Sequence, residues 1–117
     1  MFVLLFEVYI AKYCNEIIGV AGASKSPVNG VWEIGVDVIE KYRNAKIATN
    51  LVSKLTKQLL LQNIVPFYSA SVTNIASQMV ANRCAYVPMW VDTFGTILDG
   101  SSVYHNIVQN LSLKFIK

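Results

Sequence analysis

The stretch 42-YRNAKIATNLVSKLTKQLLLQ-62 joins a short polar turn to a long amphipathic segment. From Ile47 onward, apolar residues recur at a spacing near 3.6, which predicts a helix with one buried face that ends near Gln62. The run before it, 31-VWEIGVDVI-39, alternates between large apolar residues and small or acidic ones, as a half-buried strand does. The sequence therefore predicts a strand, a tight turn at 43–46 and a helix.

The turn at 43–46 lies where the predicted helix begins. The first N–H groups of a helix are unpaired and carry a partial positive charge, so a turn leading into them can present several amides to a phosphate. Arg43 and Lys46 add positive charge, and the small Ala45 and Ala48 let a ligand approach the backbone. Two interpretations stay open at this point: a phosphate-binding turn, or a simple connection whose basic pair is solvated. The lack of G-x-x-x-x-G-K-S/T and G-x-G-x-x-G patterns argues against a P-loop and a Rossmann fold.

The remaining segments complete a β-β-β-α-β-α-β-α order within one domain, residues 1–117. A strand at 2–13, a turn at Asn15-Glu16 and a strand at 17–24 form a meander with 31–39. After the long helix, the pattern predicts a strand at 67–71, a helix from Ile75 to about Arg83, a strand at 89–98 and a docked helix at 103–116. A right-handed helical crossover makes 31–39 and 67–71 parallel. The fold class is therefore α+β with a mixed antiparallel and parallel sheet.

Composition limits the class of protein. The chain has 117 residues with 54% hydrophobic and 15% charged residues, which indicates one globular domain and suggests an apolar homo-oligomer interface. A net charge of +3 without charge blocks argues against a nucleic-acid partner. Glu7 interrupts the first apolar run, so neither a signal peptide nor a membrane span is expected. Two isolated cysteines predict a reduced, cytoplasmic protein, and the single histidine, His105, argues against a metal site.

Two segments resemble a known family. The turn, 43-RNAKIA-48, resembles the acyl-CoA-binding loop of the GNAT N-acyltransferase superfamily, Q/R-x-x-G-x-G/A. The segment 74-NIASQMVANRCAY-86 resembles the family's N-x-x-S/A…G/A-F/Y piece, and the resemblance spans roughly residues 7–98 in matching order. It implies a GNAT-like fold and an enzyme that transfers an acetyl group from acetyl-CoA to an amine by direct attack in a ternary complex.

The resemblance also implies what the front of the chain lacks. The family normally begins with a strand and one or two helices, whereas the meander here starts almost at Met1. Either those elements are missing or a second subunit covers the exposed sheet. We therefore expect a homodimer.

The resemblance assigns cofactor-binding residues. Backbone groups of the strand would pair with the pantetheine arm, amides of the turn would hold the pyrophosphate, and an asparagine would contact the arm near the thioester. The implied residues are Val36, Val38, Arg43, Asn44, Ala45, Lys46, Ile47, Ala48 and Asn74. Asn74 is equally well placed as a helix N-cap. Lys46 departs from the family, because an inner glycine normally occupies that position.

The resemblance also suggests catalytic residues. Glu33 would be the general base, or it is a solvent-facing glutamate; Asp37 lies on the same strand face and would line the same acceptor pocket. The family's acid tyrosine is replaced by Ala81, which leaves Tyr86 as the candidate acid or as a core residue. Tyr68 would border the acyl site.

The acceptor stays open between a small-molecule amine and a peptide amine. The alternative to an enzyme is a non-catalytic CoA-binding module or an oligomeric interaction module with a degenerate site.

Overall fold

The computed structural model describes residues 2–4, 7–43, 45–92 and 112–117. Its strands and helices follow along the chain as β1 (Phe2–Leu4), β2 (Val8–Tyr13), β3 (Glu16–Lys25), β4 (Val31–Val38), α1 (Ile47–Leu61), β5 (Val65–Ser71), α2 (Ile75–Arg83), β6 (Val87–Asp92) and β7 (Ser112–Ile116). A short 3₁₀ turn, Glu40–Tyr42, precedes the loop before α1.

The strands form one seven-stranded sheet with the order β1-β2-β3-β4-β5-β7-β6. β4 and β5 run parallel, and the other neighbouring pairs run antiparallel. The connection between the parallel strands is α1, as a crossover requires. The predicted α+β class with a mixed sheet is therefore confirmed.

Helix α1 forms because its apolar stripe finds a complementary surface on the sheet. Leu51, Val52, Leu55 and Leu59 are fully buried, and α1 packs against β2, β3, β4 and β5. Burying each such side chain stabilises the fold by about 1.5–3 kcal/mol. The helix lies close to the sheet at Gly19, where an added Cβ would come within 3.1 Å of Leu51 Cδ1. This packing fixes the start of α1 beside the end of β4.

The first strand differs from the sequence-based expectation. The apolar run predicted as one strand at 2–13 divides into β1 and β2, which pair antiparallel with Phe2 opposite Ala11. Glu7, between them, has a φ of 23°, a value incompatible with a continuous strand. The following turn is at Cys14 and Asn15, whose φ values of 50° and 64° fit a two-residue hairpin turn. It falls one residue before the predicted turn.

The C-terminal segment corrects a second expectation. The helix predicted at 103–116 is wrong over Ser112–Ile116, which form β7 between β5 and β6. A strand in this position completes hydrogen-bond ladders on both of its edges, and that gain overrides the local helical spacing. The rest of the predicted helix, including His105, and residues 93–98 of the predicted strand at 89–98 lie outside the described residues.

Membrane-spanning helices and metal-binding clusters are both absent from the residues that the structure describes. Neither helix there is long and apolar enough to cross a bilayer. The same residues contain no group of three or more His, Cys, Asp or Glu side chains arranged to hold a metal ion.

Candidate active site

The parallel strands β4 and β5 separate partway along their length. Their paired residues run from Val31 with Val65 to Ile34 with Tyr68, and no pairing continues beyond that point. β4 itself extends to Val38 and stays paired with β3 to its end. The edge of β4 from Gly35 to Val38 that faces β5 is therefore without a strand partner. This divergence opens a wedge in the sheet.

A cavity of about 310 Å³, here called the loop cleft, lies between the end of β4, the loop before α1, and α2. Most of the predicted cofactor residues line it: Val36, Val38, Arg43, Lys46, Ile47, Ala48 and Asn74. Ala45 is exposed in the same loop but is not part of the wall, and Asn44 lies outside the described residues. The fold thus brings together three segments that are far apart in sequence.

The loop leads into α1 through a lysine in the left-handed conformation. Lys46 is the N-cap residue with φ 61° and ψ 17°, and no side chain caps the helix. Its carbonyl accepts the first helical hydrogen bond, from Asn50 N–H at 3.0 Å. The first N–H groups of a helix have no partner within the helix, and the residues that begin α1, namely Ile47, Ala48 and Thr49, line the loop cleft together with Lys46. Thr49 Oγ1, on the same wall, is buried without a hydrogen-bond partner among the described residues.

The side chain of Arg43 is directed back at β4. Its Nε donates to the Val38 carbonyl at 2.9 Å, and its Nη2 lies 3.7 Å from Asp37 Oδ1. Arg43 therefore connects the loop to the end of the strand. Asp37 lines the loop cleft and pairs with this arginine, so the expectation that it shares a pocket with Glu33 is wrong.

Asn74 caps α2. Its Oδ1 accepts a hydrogen bond from Ser77 N–H at 3.0 Å, which satisfies one of the unpaired donors of the first turn. The residue also lines the loop cleft. Both roles considered for Asn74 are thus compatible with its position, because capping uses only the amide oxygen and leaves its NH₂ group as a donor.

A second cavity, of about 570 Å³, surrounds Glu33 and is here called the Glu33 cleft. Small or polar residues from neighbouring strands form much of its wall, namely Gly22, Ala23, Ser24, Gly35 and Ser69, with the apolar Val8 and Ile34 beside them. Ser69 Oγ donates to Glu33 Oε1 at 2.5 Å. Among the described residues, Glu33 is the single charged one on this wall, so the Glu33 cleft favours a cationic group.

The two clefts meet at three residues, since Val36, Tyr68 and Ser77 line both. The Tyr68 hydroxyl and Ser77 Oγ lie 2.7 Å apart in a hydrogen bond. Burial raises the pKa of the Tyr68 phenol, which keeps it protonated at neutral pH. The junction therefore contains the free edge of β4 and the Tyr68–Ser77 hydroxyl pair. It lies between the loop cleft, which has basic side chains, and the Glu33 cleft, which has a carboxylate.

Tyr86 lies away from both clefts. Its hydroxyl is 2.6 Å from Thr56 Oγ1 in the core, and burial raises its pKa far above the ordinary value. Ala81, which stands where the resemblance places a tyrosine, is fully buried. The structure brings Glu33 to the cleft beside the junction, whereas Tyr86 lies on the wall of neither cleft.

Two site residues were not singled out from the sequence. Ser77 is the serine of the N-x-x-S/A pattern at 74–77, so the motif itself contained the clue. Ser69 follows Phe67 by two residues and therefore shares its strand face, and Phe67 is the partner of Glu33 in the parallel ladder. Only the pairing register links Ser69 to Glu33.

The family profile described as GNAT acetyltransferase matches residues 9–89. The chain belongs to the GNAT acetyltransferase family. The match includes β3, β4, the loop, α1, β5 and α2, and it contains every described wall residue of the two clefts except Val8. No curated protein sequence matches the chain with significance.

Solved structures of GNAT proteins share this fold. A ribosomal-protein-alanine N-acetyltransferase from Brucella melitensis superposes with a TM-score of 0.75 at 16% identity, over 94% of this chain and 67% of that one. A ribosomal L7/L12 alpha-N-protein acetyltransferase in complex with coenzyme A gives 0.75 at 19% identity, over 94% and 60%. A microcin C7 self-immunity acetyltransferase in complex with acetyl-CoA and AMP gives 0.72 at 22% identity, over 94% and 59%. The GNAT domain described here thus spans about three fifths to two thirds of the length of these relatives.

Proposed function

We propose that this GNAT domain transfers an acetyl group from acetyl-CoA to a primary amine by direct attack in a ternary complex. The observation that supports this proposal is the junction of the two clefts at Val36, Tyr68 and Ser77. One cleft offers helix amides and basic side chains to an anion, and the other offers a carboxylate to an ammonium group. GNAT relatives of the same fold bind coenzyme A or acetyl-CoA.

The loop cleft would hold the cosubstrate. The amides of residues 44–48 would bind the diphosphate at the start of α1, and Lys46 would add charge at the cleft wall. The start of α1 supports this fit, because its N-cap residue, Lys46, makes no side-chain hydrogen bond to the first N–H groups of the helix. The unpaired edge of β4 at Val36 and Val38 would bind the pantetheine arm. The arm would either displace Arg43 from the Val38 carbonyl or use the backbone groups of β4 beside that carbonyl.

In the Glu33 cleft, Glu33 would accept a proton from the acceptor ammonium, directly or through water. The freed amine would then attack the thioester carbonyl carbon, forming the C–N bond. The Val36 N–H would donate to the oxygen that becomes negative, at the free edge of β4. Asn74 would use its NH₂ group to hold the arm near the thioester.

The Tyr68–Ser77 pair would serve the leaving group. With Tyr68 donating to Ser77 Oγ, the hydroxyl hydrogen of Ser77 is free to point toward the thioester sulfur. As the C–S bond breaks, the Ser77 hydroxyl would stabilise the thiolate, and the proton that the attacking nitrogen loses would pass to the sulfur through Ser77 or solvent. Tyr86 is the weaker candidate for this role, because its hydroxyl is occupied by Thr56 in the core.

A non-catalytic CoA-binding module is the second candidate. Lys46 occupies a left-handed position where the family has glycine, and Ala81 replaces the family's tyrosine. Such a module would bind acetyl-CoA without turning it over.

One pair of measurements distinguishes the candidates. Calorimetry with acetyl-CoA tests binding, and thiol release over a panel of small-molecule and peptide amines tests catalysis. We expect saturable binding and amine-dependent release that falls about 100-fold in Glu33→Gln, as loss of a general base predicts. Binding without release for any amine supports the module, and absence of binding contradicts both.

We also propose a cytoplasmic homodimer. Its support is apolar surface on the edge strand β6, where Val87, Met89, Trp90 and Val91 are exposed. Light scattering is expected to give twice the chain mass, and a clean monomer at high concentration would contradict the dimer. Fractionation of cells tests the location.

A further inference from the structure

We infer that Ser69 is a positioning residue for the base Glu33, an inference that rests on the proposed acetyl transfer. Ser69 Oγ donates to Glu33 Oε1 at 2.5 Å, and the two residues are 36 positions apart. This distance lies in the range of a charge-assisted O–H···O⁻ hydrogen bond, which is roughly twice as strong as a neutral one. The bond therefore fixes the direction of the carboxylate.

The bond lies where the sheet opens. The last paired residues of β4 and β5 are Ile34 and Tyr68, and Ser69 is the next residue of β5. Beyond this point no β4–β5 backbone pairing holds the strands together. The Glu33–Ser69 bond is therefore a side-chain link across the mouth of the wedge, between β4 and β5, which both contribute to the wall of the Glu33 cleft.

Only one carboxylate oxygen is used by this link. Glu33 Oε1 accepts from Ser69, so Oε2 stays available to the acceptor amine. Without the hydroxyl, the Glu33 side chain would be free to take other rotamers on an open wall formed partly by Gly22 and Gly35. An added Cβ at Gly35, two residues along the same strand face, would meet no described atom within 4 Å, so the wall is open at that position.

The charged neighbours on the adjoining strands are engaged elsewhere. Lys114, the β7 partner of Ser69, lies 3.7 Å from Asp92 and its ammonium sits 5.5 Å from the centre of the Phe67 ring. Lys25 on β3 lies over the Trp32 ring at 5.9 Å. Among the described contacts, the orientation of Glu33 therefore depends on Ser69.

The test is a kinetic double-mutant cycle with Ser69→Ala and Glu33→Gln. We expect Ser69→Ala to lower kcat about tenfold, with the KM for acetyl-CoA unchanged, because a misdirected base acts only on the amine. In the Glu33→Gln background the same change should alter kcat less than twofold. Ser69→Thr, which keeps the hydroxyl and suits a strand, should restore most of the rate.

The matched control is Ser71→Ala. Ser71 lies on the same strand face, and its hydroxyl bonds to Thr73 Oγ1 at 3.0 Å instead of to the base. Its removal should leave kcat within twofold of the unmodified protein. Equal losses of kcat for Ser69→Ala and Ser71→Ala would overturn the inference without contradicting acetyl transfer. The same holds if Ser69→Ala lowers kcat as much in the Glu33→Gln background as in the unmodified protein. An unmodified protein that binds acetyl-CoA but acetylates no amine would overturn the proposed function and the inference with it.

Discussion

Lys46→Gly should make the GNAT domain more stable while weakening its affinity for CoA. Lys46 has φ 61° and ψ 17°, a conformation that costs a non-glycine residue about 1–2 kcal/mol. Glycine removes that cost but adds about 0.5–1 kcal/mol of backbone entropy in the unfolded chain. The net gain lies between about 0 and 1.5 kcal/mol, and its midpoint of about 0.75 kcal/mol corresponds to a Tm increase of roughly 3 °C for a domain of this size.

The affinity should change in the opposite direction. Lys46 lines the loop cleft at the start of α1, where it can contact a diphosphate. Losing a charge contact of about 1 kcal/mol raises the Kd for CoA about fivefold. It also makes the remaining affinity less sensitive to salt, because one screened interaction is gone.

Two matched variants separate backbone from charge. Lys46→Arg keeps the charge and the strained backbone, so both Tm and Kd should stay near their original values. In Lys46→Asn the asparagine tolerates the left-handed conformation but carries no charge, so the Kd for CoA should rise as it does in the glycine variant. Calorimetry and thermal unfolding measure both quantities. Tighter CoA binding by Lys46→Gly would refute the reasoning, since it would mean that the lysine obstructs the loop.

Further predictions concern other parts of the fold. Tyr86→Phe should lower stability by about 1–3 kcal/mol in urea because Thr56 loses its buried partner, with kcat unchanged; a 100-fold loss of kcat in a folded variant would identify Tyr86 as the acid. Tyr68→Phe and Ser77→Ala should each lower kcat about tenfold, and their combination no further, whereas multiplied losses would rule out a joint role. Burial raises the pKa of Tyr68 from 10.0. The stability that the neutral phenol contributes is therefore intact below pH 10 and is lost as the pH rises above that value. An equal urea midpoint at pH 8 and pH 11 would contradict this expectation. Gly19→Ala should cost about 1 kcal/mol because its Cβ meets three side-chain atoms at 3.1–3.3 Å; a stabilised variant would show that α1 can move away.

The elements predicted correctly from the sequence are those whose pattern is local. The predicted helix from Ile47 to near Gln62 is observed as Ile47–Leu61, because its buried stripe repeats over several turns. The parallel arrangement of β4 and β5 followed from a single helical crossover. β7 was missed because a strand inserted between two others depends on partners far along the chain.

The same distinction applies to the site. The loop before α1 was found because its residues are contiguous and resemble a family motif. The pairs Glu33–Ser69 and Tyr68–Ser77 join different elements, and no spacing rule relates their members. Tyr86 was a weak candidate for the acid because the direction of a phenol depends on its surroundings, here Thr56 on α1.

A titration of ¹⁵N-labelled protein with acetyl-CoA, followed by amide NMR, tests the central claim directly. We expect saturable shifts at Val36, Val38 and residues 45–48, where the free strand edge and the start of α1 meet the loop cleft. Control amides on the β2–β3 hairpin should not move. Unchanged spectra up to about 1 mM acetyl-CoA, the upper end of usual KM values, would contradict the claim that this loop and strand bind the cosubstrate.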